Sequence, residues 1–420
     1  MCYVENIFFK KSYRLGLFLI LGLFFANNVC AKGESVSSKT FKELTEIQTI
    51  MGEGQTDQAY TRLKSLLTAV KPDTLDKALT LQTLGYVEMA KEDFPNAIKH
   101  LKEALSLNRL PQNVVYNIGY LVAQLHAALG QFDEALDFAA DWFKQLESPS
   151  ASQMIFMANI YAQNKRFKDS IPYARDAIST ADKPQESWYQ LLTGNYFELK
   201  QYKNAARTLE SMIDLWPSKR TYWEQLASVY VVLEEEKNAL AVLKIAFSEK
   251  ILDKEASVKS LVQLSFSRGI PEHAARLLER AMSEDLLPQN ETYLEMLAVA
   301  YNNAKERDKA IDAYERLALK VDSGDPWVSI SNIYVEKGQW PEAESALKNA
   351  LSKNLKTPGN AWLLLGISQT EQNKFSAGKK SLKKAGAYKK TEKSALKWIK
   401  YADDMKRQVD WLAQHKEEAL

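Results

Sequence analysis

The stretch WYQLLTGNYFELKQYKNAARTLESMIDLWP, residues 188–217, decides how this chain is read. Tyr189, Leu192, Thr193 and Tyr196 fall at i, i+3, i+4 and i+7, one face of a helix. After a polar bridge at 200–203, Ala205, Leu209 and Met212 fall at i, i+4 and i+7, the apolar face of a second helix. The two faces close on each other only where a crossing residue is small, because extra bulk in a packed site costs roughly 1 to 3 kcal/mol. Such a residue recurs ten times at intervals of 33 to 38: Ala59, Ala97, Ala135, Ser170, Ala205, Ala239, Ala274, Ala310, Ala343 and Gly378. A helix pair of this length cannot bury its own apolar face and is stable only when stacked on neighbours. The expected fold is an all-α solenoid of about ten helix-turn-helix repeats, a scaffold rather than an enzyme.

Other units repeat the frame. Trp223, Leu226, Ala227, Tyr230, Ala239, Leu243 and Ala246 fill it once. Trp327, Ile330, Ser331, Tyr334, Ala343, Leu347 and Ala350 fill it again, and so do Trp362, Leu365, Gly366, Gly378, Leu382 and Ala385. An aromatic stands three residues before the small one in six units, as Phe94, Phe132, Phe167, Tyr202, Trp340 and Phe375. Pro95 and Pro341 follow it at a first helical position, where a missing N–H costs nothing. This pattern resembles the tetratricopeptide repeat, which implies a right-handed solenoid over residues 41–389. Glu88, His126, Ser265 and Gln369 depart from it, standing where Tyr161, Tyr196, Tyr230, Tyr301 and Tyr334 stand elsewhere. The 38-residue spacings near the N-terminus predict an extended linker around Leu110–Asn113. Ala395, Trp398, Ile399, Ala402, Met405 and Val409 predict a capping helix within 390–420, and 32–40 reads as a polar lead.

Lys10, Lys11 and Arg14 precede an apolar run from Leu15 to Ala26 and then Val29-Cys30-Ala31, the pattern of a secretory signal cleaved after Ala31. The run is shorter than the roughly 20 apolar residues that span a bilayer. Its retention as an anchor, or lipidation at Cys30, are the alternatives. Removing residues 1–31 leaves 52 basic and 52 acidic side chains and no cysteine, because Cys2 and Cys30 leave with it. A neutral chain without thiols argues against nucleic acid as partner and for export, with the periplasm as the expected compartment.

Chemistry is sparse. His100, His126, His273 and His415 have no His or Cys companion at ligand spacing, so no metal or other cofactor is expected. The chain lacks a Gly-x-Gly-x-x-Gly, a P-loop and a Gly-x-Ser-x-Gly, and no catalytic residue is assigned. His126 reads as a hydrogen-bonded core histidine, and Glu234-Glu235-Glu236 as a solvated run.

The family resemblance implies that a few first-helix positions line a binding groove. They correspond here to Gln82, Tyr86, Asn117, Tyr120, Gln124, Asn159 and Gln190, then Glu224, Ser228, Lys259, Gln263, Glu295, Asn302 and Asn332. Amides both donate and accept, which suits the backbone of an extended peptide. A second candidate surface is basic: Lys379, Lys380, Lys383, Lys384, Lys389 and Lys390 belong to a run of ten lysines opposed locally by Glu392 alone. It would attract an acidic partner, anionic headgroups or cell-wall polymer.

The stretch 361–366, AWLLLG, with Ala385 and then ALKWIKY at 395–401, resembles periplasmic repeat proteins of TonB energy-transduction systems. That likeness implies TonB, ExbB and ExbD as partners, in the uptake of iron chelates. The alternatives are an envelope-assembly or cell-wall adaptor, and an accessory to glycan export. A glycan groove should be lined with exposed aromatics, and the mapped positions offer few.

Overall fold

The computed structural model describes residues 35–415. They contain 21 α-helices and no strand. The first twenty form ten consecutive pairs, in agreement with the ten small residues. The described residues divide into two compact units, one up to 212 and one from 213 on.

Unit 1 holds α1 (Ser38–Gly52) and α2 (Thr56–Ala69), α3 (Leu75–Ala90) and α4 (Phe94–Ser106), α5 (Gln112–Ala128) and α6 (Phe132–Phe143), α7 (Ala151–Gln163) and α8 (Phe167–Thr180), and α9 (Glu186–Glu198) with most of α10 (Tyr202–Leu215). Its core is a chain of clusters, each shared by neighbouring pairs. Leu44, Ile47, Leu63 and Leu84 form one, Leu81, Leu101, Ile118 and Leu125 the next, and Ala158, Ala174, Leu192 and Tyr196 another. Stability here is a sum over nearest neighbours, as stacking requires.

Unit 2 holds α11 (Arg220–Val232) and α12 (Glu236–Ser248), α13 (Glu255–Ser267) and α14 (Pro271–Ser283), α15 (Glu291–Asn303) and α16 (Arg307–Ala318), α17 (Asp325–Glu336) and α18 (Trp340–Leu351), and α19 (Pro358–Glu371) and α20 (Phe375–Gly386). The final helix, α21 (Glu392–His415), packs on α20 and α19.

All ten small residues are buried, nine of them with no accessible surface (Gly378 is the tenth). The serine in the series is explained by its bonds: Ser170 Oγ donates to the Ala158 carbonyl at 2.6 Å and accepts from Asn195 Nδ2 at 2.8 Å. All six aromatics of the bridge are the first residue of a second helix. Ala239→Leu should therefore lower stability by about 1 to 3 kcal/mol, whereas the exposed Lys383→Ala should change it by less than about 0.5 kcal/mol. Equal melting temperatures for the two variants would refute this packing register.

The turn inside each pair is built the same way ten times. Five residues before the small one, the backbone enters the left-handed region, at Gly54, Glu92, Gly130, Lys165, Lys200, Glu234, Gly269, Lys305, Gly338 and Asn373. In the pair quoted first, the Lys200 N–H donates to the Phe197 carbonyl and the Gln201 N–H to the Tyr196 carbonyl, a Schellman termination that satisfies the last carbonyls of the helix. Six of the ten are not glycine, so the turn is not marked by composition.

The predicted linker at Leu110–Asn113 is corrected. Gln112 and Asn113 already belong to α5, capped by Pro111, and the connection is only 107–111. The long spacings are absorbed by longer first helices, 16 residues in α3 and 17 in α5 against 13 in α9. A proline blocks the residue before it from helix but starts one readily, so the extra residues extend α5 rather than the loop.

Among the described residues no helix is long and apolar enough to cross a membrane. The apolar run Leu15–Ala26, both cysteines and the expected cleavage after Ala31 lie outside the described residues.

Candidate functional site

The departures from the tyrosine position are polar pairs built into the stack. Glu88 is buried, and its Oε2 lies 2.7 Å from His100 Nδ1. His126 is buried with Nδ1 2.8 Å from Gln131 Oε1. Ser265 Oγ donates to the Leu261 carbonyl at 2.9 Å. Gln369 accepts from Ser381 Oγ at 2.8 Å and donates to Glu344 Oε1 at 3.1 Å. Glu344 also accepts from Lys374 and Gln372 through Oε2 and pairs with Lys348 at 2.9 Å. Burial pushes the Glu344 carboxyl up, but the donors from Lys374, Lys348, Gln369 and Gln372 outweigh it and hold it at about 2. Burial, aided by Glu255, pushes the Tyr293 phenol up to about 12. Such shifts lock a charge state at neutral pH, the opposite of what an acid–base catalyst needs. No group of three or more His, Cys, Asp or Glu among the described residues could hold a metal ion.

The first-helix positions fall into two sets. In unit 1, Gln82 is buried and donates to Tyr86 Oη at 2.9 Å. Tyr120 stacks on Trp142 at 4.2 Å between ring centroids and hydrogen-bonds Gln124. Asn159 donates back to the Ile155 carbonyl of its own helix. Asn117 and Gln190 are exposed. Asn117 and Tyr120 open on a cleft of about 410 Å³ lined also by Asn113, Tyr116, Trp142 and Gln145.

In unit 2, Glu224 pairs with Arg220 and accepts from Ser257. The Asn302 side-chain oxygen accepts from Arg307. Lys259 is half-buried, and Glu295 is exposed. Eleven residues before the small position, the first helices expose Ser228, Gln263, Val299 and Asn332, a row at one register on α11, α13, α15 and α17. Of these, Val299 escaped the sequence reading because an apolar residue on a helix reads as core. Its equal spacing from Ala310 is the signal that would have found it.

The basic end is less bare than its sequence. Lys374 is drawn to Glu344, and Lys379 to Asp403 of α21 at 2.5 Å. The Lys384 ammonium sits 4.0 Å from the ring centre of Trp362. So Glu392 is not the one opposing acid: the fold brings Glu344 and Asp403 to the run from outside it. Lys380, Lys383, Lys389 and Lys390 are exposed. Lys380 and Lys384 border a cleft of about 380 Å³ with Lys348, Trp362, Gln369 and Ser381.

A tetratricopeptide-repeat model matches residues 293–321, which cover all but the first two residues of the α15–α16 pair, with its turn at Lys305. The α15–α16 pair thus matches a tetratricopeptide repeat, and the other nine pairs share its buried small residue and its left-handed turn. A second model, for the Chs5p-Arf1p-binding proteins, matches residues 105–260, under half of the chain. No curated protein matches. Among solved structures, the chain is similar to a tetratricopeptide repeat protein from Parabacteroides merdae, at 16% identity over 63% of this chain and 99% of that one, with a TM-score of 0.37. It is similar also to MamA from Desulfovibrio magneticus, at 15% identity over 44% and 99%, TM-score 0.36. The C-terminal part of a repeat protein from Cytophaga hutchinsonii gives 13% over 56% and 95%, TM-score 0.32. These repeats make a scaffold suited to binding other proteins.

Proposed function

We propose that this chain is a non-catalytic, exported adaptor that holds protein partners on the polar face of its first helices. The observation that carries this reading is the exposed row of unit 2, in which Gln263 and Asn332 keep their amides free of internal hydrogen bonds among the described residues. Two amides at one register on alternate first helices can each donate to and accept from the backbone of an extended segment. Val299 between them supplies an apolar contact. The match to Chs5p-Arf1p-binding proteins, named for the proteins they bind, supports an adaptor role. The proposed compartment is the periplasm, from the N-terminal pattern, and the proposed partners are TonB, ExbB and ExbD, from the C-terminal stretch at 361–401.

Crosslinking and affinity capture of the tagged chain from intact cells tests both levels. Recovery of TonB or ExbD, lost in a Gln263→Ala, Asn332→Ala variant, is the expected result. Two neutral hydrogen bonds of about 1 kcal/mol each correspond to binding roughly thirtyfold weaker. Recovery of outer-membrane assembly factors or cell-wall synthases, equally lost in the variant, would keep the row and replace the partner. Undiminished capture by the variant would remove the row from the interface.

A further inference from the structure

The last helix presents a face that the stack does not use. Ala395 and Ala402 have no accessible surface and mark the side of α21 that packs on the unit. On the opposite side lie Lys393, Leu396, Lys397 and Lys400, at i, i+3, i+4 and i+7. Trp411 returns to the azimuth of Lys393, because eighteen residues make about five turns, so the face runs roughly 27 Å. Its apolar members are more than half exposed: Leu396 is 61% and Trp411 56% exposed. Lys393, Lys397 and Lys400 are exposed and form no ion pair among the described residues, and neither do Lys389 and Lys390 just before the helix. The acids of the helix do not cancel them. Asp403 is held by Lys379, and Asp404, which lies on this face, by Arg407, while Glu392 and Asp410 lie roughly 100° around the axis from Lys393 and Trp411, on the flank beside Leu396.

We infer that this face of α21 is a docking surface for an anionic phospholipid bilayer. An acidic protein would be met by charge alone. Here a tryptophan and a leucine stand out among lysines, and those are the groups that enter the boundary between headgroups and acyl chains while lysine stems reach back to phosphate. A straight line of such residues on one helix fits a flat anionic surface. The surface uses none of the groove residues, so this inference stands or falls apart from the reading above.

Flotation of the chain lacking residues 1–31 with vesicles of phosphatidylglycerol and phosphatidylcholine in equal parts tests it, beside vesicles of phosphatidylcholine alone. The expected result is binding to the first and not to the second, weakened by salt as the Debye length falls below about 10 Å. A lysine near an anionic surface is worth about fivefold, so Lys393→Gln, Lys397→Gln and Lys400→Gln together should weaken binding roughly a hundredfold. Leu396→Ser with Trp411→Ser should weaken it too. All five positions are exposed, and unchanged melting of the variants confirms that the fold is intact. Failure to float with anionic vesicles, or flotation that ignores the lysine variants, overturns the inference. So does equally tight binding of a polyglutamate peptide with no effect of the Leu396 and Trp411 changes, which would make the face a site for acidic protein.

Discussion

Gly324→Ala should cost about 3 kcal/mol or more, more than overpacking usually does. Gly324 is the cap of α17, and its N–H donates to the Asn354 carbonyl at 2.7 Å. A Cβ built there would run into the Ala350 carbonyl oxygen and come within 2.8 Å of Leu355 Cδ2. A side chain in the way can change rotamer, but the Ala350 oxygen is backbone near the end of α18 and cannot. Relief requires moving the start of α17 away from the end of α18, which gives up the bond to Asn354. At Gly366 the hardest clash is with the Leu382 side chain, 2.5 Å from the added carbon at Cγ, and the backbone approach is milder, with the Gly378 carbonyl oxygen at 3.0 Å. Gly366→Ala should therefore cost less. Chemical denaturation followed by circular dichroism checks the order; a Gly324→Ala chain as stable as the parent would show that the α17–α18 approach is looser than described.

Glu344→Ala should destabilise by about 3 kcal/mol at neutral pH. Glu344 is 6% exposed, and its carboxylate collects Lys374, Lys348, Gln369 and Gln372. Its loss leaves the buried Gln369 amide without its acceptor, while Gln372 keeps the carbonyls of Trp340 and Ser368 and the two lysines, both more than half exposed, recover much of their hydration. The pH dependence has a definite sign. The folded carboxyl is held at about 2 against 4.5 in its unperturbed state. The stability it contributes is therefore present above about 4.5, and is lost as pH falls from there through about 2. Glu344→Gln removes the charge and keeps the shape. The stability difference between parent and Glu344→Gln should be full at neutral pH and close as pH falls through that window. A difference constant from pH 7 down to about 2 would mean that the charge of Glu344 does not contribute.

What was legible in the sequence was local. The small residues from Ala59 to Gly378 announced ten helix pairs, and their burial follows from helical period alone: whatever stands at the crossing has to be small. The aromatics from Phe94 to Phe375 marked where second helices begin, for the same reason of fixed register. The scaffold character of the chain follows from that repetition, because no unit can bury its face alone.

The rest depended on which distant residues the stack brings together. Six of the ten left-handed turn residues are Glu, Lys or Asn, whose choice composition does not reveal; the turn is imposed by the packing of the two helices it joins. Gln82 and Asn302 look like groove amides by register, yet Tyr86 and Arg307 take them up. Glu344, an ordinary surface acid by pattern, becomes the centre of a buried network because Gln369 and Lys374 of the next pair arrive beside it, 25 and 30 residues on. Lys379 loses its free charge to Asp403 in the same way. Periodicity tells which side of a helix is buried, since that depends on the helix alone. Which polar groups meet there depends on neighbours about one repeat away, and only the tertiary structure decides it.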